Sequence, residues 1–322
     1  MTAPLWAWPA LSLFLLAMLA VDLWAFHRPD RAVSSKQAAL KSAFWVSLGL
    51  AFTGLVWALL GGRAAGEYLT GFLIEYSLSV DNLLVFAIIL AAFAVPDVLQ
   101  HRVLLFGIFG ALVLRALFIL AGTALISQFH WTIYVLGAFL IVTGLRMTRT
   151  GHAEIDPERS RALRLARRLL PITSGFRAQH LFVREQGRVF GTPLLAAVVA
   201  VMATDVVFAM DSVPAIFSIT LDPFIVFSAN AFALLGLRTL YFLLAGLVLR
   251  FTYLQLAVAA LLVLVGIKML LRDLIDVPIW LSLAVIGATL LIAIMASIGA
   301  DRKGRHSSSM RPVGVRGRRP VG

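Results

Sequence analysis

EYSLSVDN at 75–82 and ATDVVFAMDS at 203–212 are the stretches on which the reading of this chain turns. Each carries a pair of carboxylates, Glu75 with Asp81 and Asp205 with Asp211, inside sequence otherwise apolar enough to cross a bilayer. An ionised carboxylate at the centre of a membrane costs about 2.5–3.5 kcal/mol on insertion scales, so four of them require a compensating partner. The partner such acids suit best is a hard divalent cation.

The surrounding composition places the chain in a membrane. Of 322 residues, 61% are hydrophobic and only 14% charged, far from the balance of a soluble domain. Nine apolar runs, at about 5–26, 41–61, 69–94, 102–126, 131–148, 192–217, 224–249, 252–271 and 278–299, each approach the ~20 residues that span the hydrocarbon as a helix. The expected fold is therefore all-α, a polytopic protein of nine transmembrane helices. The first run lacks the basic leader of a cleaved signal peptide and is read as a retained helix.

The net charge of +12 lies between the apolar runs. It reads as an orientation signal, which sets nucleic acid aside as a partner and leaves membrane lipid. All of the 28 Lys and Arg except Arg63, Arg115, Arg238, Lys268 and Arg272 fall on one side of the predicted membrane. The positive-inside rule then puts the N-terminus outside and the C-terminus in the cytoplasm of a bacterial-type inner membrane. There is no cysteine, which excludes disulfides, thiolate metal sites and a cysteine nucleophile. Between the runs lies one large loop, 149–191, whose segment Pro157–Leu170 reads as a basic amphipathic helix suited to an anionic leaflet. The tail from Asp301 reads as disordered.

Aligning the acidic stretches exposes an internal repeat. Glu75 and Asp81 correspond to Asp205 and Asp211, Arg115 to Arg238, and Gly144 to Gly266; LRALFIL at 114–120 matches LRTLYFL at 237–243. A repeat of three helices re-enters from the opposite face, so this is an inverted-topology pair. The domain plan is helices one and two at 1–66, repeat 1 at 67–148, the basic loop at 149–191, repeat 2 at 192–272, a ninth span at 273–300 and the tail at 301–322.

At ~100° per residue, positions seven apart on a helix nearly coincide whereas positions six apart diverge by about 120°. Glu75 therefore shares a face with Ser79 and Asn82, and Asp205 with Ser212, while Asp81 and Asp211 point elsewhere unless the helix breaks. Pro214 cannot donate to the carbonyl of Met210 and is the expected break in the second copy. Carboxylates, an amide and a hydroxyl form an oxygen-rich set for Mg²⁺, Ca²⁺ or Mn²⁺, and histidine is nearly absent from the spans, which disfavours zinc and copper. Met202 and Met210 flank the second pair, and a thioether facing the ion would favour Mn²⁺. Arg115 and Arg238 are expected to balance charge or to gate; two arginines against four acids leave a formal charge that one divalent cation neutralises. In an apolar site protons compete with a cation, so exchange for protons follows as an expectation.

EYSLSVDNLLVF, TDVVFAMDSVPAIFSIT and ANAFALLGLRTLYFLLA resemble the signature blocks of the TerC family of integral membrane proteins. The resemblance implies a nine-span membrane protein whose acidic blocks serve divalent metal export, chiefly of manganese, with some members linked to tellurite resistance. Carried onto this chain, it points to Glu75, Asp81, Asn82, Asp205, Asp211 and Ser212 as metal-binding residues, with Mn²⁺ as transported substrate and no resident cofactor. Gln37, Leu181 and Met210 depart from the family pattern and leave the acidic residues intact.

Three other classes stand beside the exporter. A membrane scaffold for metal or tellurite stress would recruit partners through the basic loop. An intramembrane aspartyl protease also uses two aspartates, but a GxGD-type block is missing and the repeat supplies four acids. An amino-acid carrier could pair Arg115 with Asp211. The exporter requires no enzymatic chemistry.

Overall fold

The computed structural model describes residues 3–25, 35–150, 173, 180–185, 188–244, 254–275 and 277–309. Among them stand nine α-helices: α1 (Ala7–Ala25), α2 (Ser35–Leu60), α3 (Gly62–Ala92), α4 (Asp97–Gln128), α5 (Thr132–Thr150), α6 (Pro193–Phe217), α7 (Pro223–Leu244), α8 (Leu254–Leu270) and α9 (Ile279–Ser309). Each falls on one of the apolar runs. Their ends obey local chemistry. Gly61, the single residue between α2 and α3, has φ 89°, a left-handed conformation that a side chain disfavours. Pro193 opens α6 behind Thr192, and the Asp222 carboxylate caps α7 by accepting the Phe224 N–H at 2.9 Å.

Stretches of α2, α4, α6 and α7 are each long and apolar enough to cross a bilayer, and α1, α5, α8 and α9 contain shorter apolar helices. Absent from both groups is α3, which carries Arg63, Glu67, Glu75 and Asp81. Large apolar side chains such as Leu13, Leu55, Leu117, Phe139 and Ile292 are exposed, as lipid-facing residues must be. Exposed tryptophans mark helix ends: Trp6 before α1, Trp57 in the last turn of α2, Trp131 between α4 and α5, and Trp280 opening α9. The start of α3, the α6–α7 turn, the end of α8 and the start of α9 meet in one polar pocket, lined by Arg63, Ser218, Thr220, Lys268, Arg272 and Ile279.

Packing pairs the helices in an ordered way. The closest partner of α5 is α8, while α3 lies along α7 and α4 along α6; α2 covers α3 and α7, and α9 lies on α3 and α8. Small residues allow this. A methyl group built on Gly266 would sit 2.6 Å from the Gly137 carbonyl oxygen, and one on Gly144 would sit 2.7 Å from that of Ala259. Backbones this close are typical of helices packed in lipid, where dispersion replaces the hydrophobic effect. Because Gly137 meets Gly266 and Gly144 meets Ala259, α5 and α8 run antiparallel. The other two contacts are parallel: Gly107 meets Val201 and Gly122 meets Phe217 along α4 and α6, and Gly71 meets Ala229 and Gly236 meets Tyr76 along α3 and α7.

Three expectations are corrected. The loop before α6 contains a two-stranded antiparallel hairpin, β1 (Phe182–Glu185) with β2 (Arg188–Gly191), so the fold is not purely α. Thr192 fastens its base, its amide donating to Leu181 O at 3.0 Å and its hydroxyl to His180 O at 2.8 Å. Pro214 does not break α6; the helix passes through it and ends at Phe217. So near the C-terminus a proline forfeits one hydrogen bond, to Met210, and its fixed φ already suits a helix. Finally, α9 continues to Ser309, past the predicted boundary at Asp301. The proposed basic helix at Pro157–Leu170 and residues 310–322 lie outside the described residues.

Candidate ion-binding site

Four helices converge on one buried guanidinium. Arg115, from the middle of α4, is 1% exposed, and the groups around it are equally buried: Glu75 from α3, Asp205 and Ser212 from α6, and Asn230 from α7. Its Nε and Nη2 donate to the two carboxylate oxygens of Asp205 at 2.8 and 3.0 Å, the bidentate geometry that suits a planar fork. Nη1 donates to Glu75 Oε1, to Asn230 Oδ1 and, at 3.3 Å, to the Ser212 hydroxyl. Asp205 and Ser212 meet the same guanidinium, as two residues seven apart on an unbroken helix should.

Burying a charge is costly unless it is paired and hydrogen-bonded. Here one cation faces two carboxylates, and the surplus is negative. Several polar atoms near these residues in sequence have no protein partner: Glu75 Oε2, Ser77 Oγ, Ser79 Oγ, Asn82 Nδ2 and Asp211 Oδ1 are buried with none among the described residues. Uncompensated buried groups of this kind are uncommon in folded proteins.

The predicted site residues divide. Glu75, Asp205, Ser212 and Arg115 come together. Asn82 is buried in α3, on the Glu75 side of the helix, but does not bond to the guanidinium. Asp211 is not among the groups that bond to Arg115; its carboxylate faces Thr143 of α5. Asp81 and Arg238 lie in α3 and α7; their side chains are outside the described set. Among the described residues no three of His, Cys, Asp and Glu approach closely enough to hold a metal ion, and the guanidinium of Arg115 bonds to both Glu75 and Asp205. Neither methionine supports a thioether ligand: Met202 packs over Gly110 of α4 and Met210 is 46% exposed. Asn230 is an addition to the predicted set, although an amide in the apolar run ANAFALLGLR is a buried polar group and meets the criterion that singles out the acids.

A helical integral membrane protein with a carboxylate–guanidinium cluster at its centre is the class that fold and site define. The chain belongs to the TerC family: the description "Integral membrane protein TerC family" matches residues 60–305. It is 47% identical over 305 residues, covering 95% of this chain and 96% of the other, to the "Uncharacterized membrane protein STKORF319" of Myxococcus xanthus. It is 42% identical over 297 residues, covering 89% of this chain and 92% of the other, to the "Putative membrane-bound redox modulator Alx" of Escherichia coli (strain K12). A Rickettsia bellii "Uncharacterized membrane protein" is 36% identical over 292 residues, 91% of this chain and 97% of the other. No solved structure matches.

Proposed function

We propose that this protein is a secondary transporter that exports divalent cations, Mn²⁺ above others, across a bacterial-type inner membrane in exchange for protons. The observation that carries the reading is the buried pair Glu75 and Asp205, one from the middle of α3 and one from the middle of α6, joined by a guanidinium. A pair of acids held by an exchangeable cation is a cation site. With Ser212 and Asn82, and with Asp81 and Asp211 recruited as the helices rearrange, the donor set is all oxygen, which suits a hard ion.

All nine helices cross the membrane in this reading, and α3–α5 and α6–α8 are inverted repeats. The packing supports it. Exchanging the two repeats turns the parallel α4–α6 contact into the parallel α3–α7 contact and returns the antiparallel α5–α8 contact to itself. It also exchanges the Gly137–Gly266 meeting with the Gly144–Ala259 one. The exposed tryptophans and the shared polar pocket support one common interface for the ends of α2, α4, α6 and α8 and the starts of α1, α3, α5, α7 and α9. The charge bias supports reading that interface as the outer one. The Alx relatives are named as redox modulators. In a chain without cysteine such an effect would run through something other than a thiol, and control of a redox-active cation is one such route.

Purified protein in liposomes with an imposed proton gradient should move Mn²⁺, and Glu75→Gln with Asp205→Asn should abolish the movement. Undiminished transport by that pair, or by Asp81→Asn with Asp211→Asn, would sink the corresponding site assignment. The scaffold reading is separated by a chain lacking 152–188: loss of metal resistance with transport intact would favour recruitment.

A further inference from the structure

Arg115 grips Glu75 of α3 and Asp205 of α6 together. In the repeat correspondence these two acids exchange with each other, and Arg115 exchanges with Arg238 of α7. One pair of carboxylates on the pseudo-symmetry axis thus answers to two arginines. It cannot satisfy both in the same way, since Asp205 already gives both its oxygens to Arg115 at 2.8 and 3.0 Å.

Resting on the inverted-repeat transporter reading, we propose that Arg115 and Arg238 take turns on the Glu75–Asp205 pair. Arg115 holds it in the conformation described, Arg238 holds it in the oppositely facing one, and the substrate cation binds while neither guanidinium is seated. The tethered arginine is then an internal substitute for the cargo. It spares the protein an uncompensated pair of buried charges when the carrier reorients empty.

The correspondence also says where the exchange is uneven. Arg115 donates to Asp205, Ser212, Glu75 and Asn230. The equivalent set for Arg238 is Glu75, Asn82, Asp205 and Gly107. The first three can accept, Glu75 and Asp205 through carboxylate oxygens and the buried Asn82 through its side-chain carbonyl oxygen. Gly107 has no side chain to offer. Asn230 therefore weights the balance toward the Arg115-held state.

The absence of native cysteine allows the test to be made on the full chain with introduced labels. Spin labels on Val98→Cys with Val189→Cys report one end of the parallel α4–α6 pair, and labels on Phe129→Cys with Leu221→Cys report the other. Distances are measured in metal-free nanodiscs. Arg115→Gln should move the population toward the opposite conformation, lengthening one distance and shortening the other. Arg238→Gln should move it the opposite way, and each ratio should change about tenfold or more, the scale of one charge-assisted hydrogen bond. Asn230→Gly should follow Arg115→Gln with a smaller change. Shifts in the same direction for the two arginine variants, or no shift in either, overturn the exchange. Should Arg115→Gln not fold, Asn230→Gly against Arg238→Gln makes the same comparison: opposite shifts support the exchange, and shared or absent shifts overturn it. Mn²⁺ flux measured on the same preparations keeps the readings distinct. Opposite shifts without flux retain the exchange and remove Mn²⁺ export, and flux without opposite shifts removes the exchange alone.

Discussion

The seam between α5 and α8 yields the sharpest quantitative expectation. Replacing Gly266 by alanine adds a methyl that the structure places 2.6 Å from the Gly137 carbonyl oxygen, 2.7 Å from Ile141 Cγ1 and 3.1 Å from the Ile141 backbone nitrogen. Non-bonded carbons prefer about 3.5–4.0 Å, so the helices must part by about 1 Å, and a gap of that size forfeits about a quarter to a half of each contact it opens. Over-packing of this kind costs about 1–3 kcal/mol. Gly287 in α9 is the internal control, because a methyl there meets nothing within 4 Å. Alanine at that position should gain up to about 1 kcal/mol of helix propensity. The propensity gain is common to both helical sites and cancels, so the two Gly→Ala variants should differ by the over-packing cost alone, about 1–3 kcal/mol, roughly fivefold to a hundredfold in the unfolding equilibrium. Titration from mild micelles into SDS, followed by circular dichroism, measures this. Adding Ile141→Ala should recover only part of the loss, since the carbonyl oxygen stays in place. If Gly266→Ala proves as stable as Gly287→Ala, the close approach of the two helices is wrong.

Other perturbations follow from the same structure. Glu75→Gln with Asp205→Asn leaves Arg115 charged among neutral groups and should cost about 3–5 kcal/mol in the same titration, most of which a further Arg115→Met should return. Pro214→Ala restores a backbone donor to Met210 and should raise stability by about 0.5–1.5 kcal/mol, the worth of the one regained hydrogen bond, while slowing Mn²⁺ flux in liposomes if the weakened last turn moves during transport. Thr192→Val removes the hydroxyl bond to His180 O and should cost about 0.5–1.5 kcal/mol, seen as faster amide exchange in β1 and β2 with the helices unchanged.

Much of this architecture is legible because a bilayer imposes a length. Each apolar run of ~20 residues has one economical use, so the helices fall where the runs do. The acids are legible for the complementary reason, since charge at membrane depth is too costly to be incidental. What escapes is arrangement in three dimensions and features without charge. Spacing shows that Asp205 and Ser212 share a face, yet nothing in one dimension says that Arg115 joins acids of both repeats. Asn230 carries no charge and so sends a weaker signal than the acids. The hairpin hides in a stretch that reads as basic linker, because FVRE and RVFG are short and neither alternates apolar with polar residues. Pro214 misleads because a proline that would break a helix in its middle is tolerated within its last turn.

The meeting of Gly137 with Gly266 and of Gly144 with Ala259 bears on motion as well as on packing. Most buried interfaces resist sliding because interlocked side chains must leave one rotamer for another before anything shifts. Along α5 and α8 the contacts at the glycines fall on backbone oxygens of Gly137, Ala259 and Gly266 as well as on the side chains of Ile141 and Val263, so only one partner of each pair has a rotamer to clear. If the two halves rock against each other as the transporter proposal requires, this seam is the plain bearing that asks for the least side-chain rearrangement.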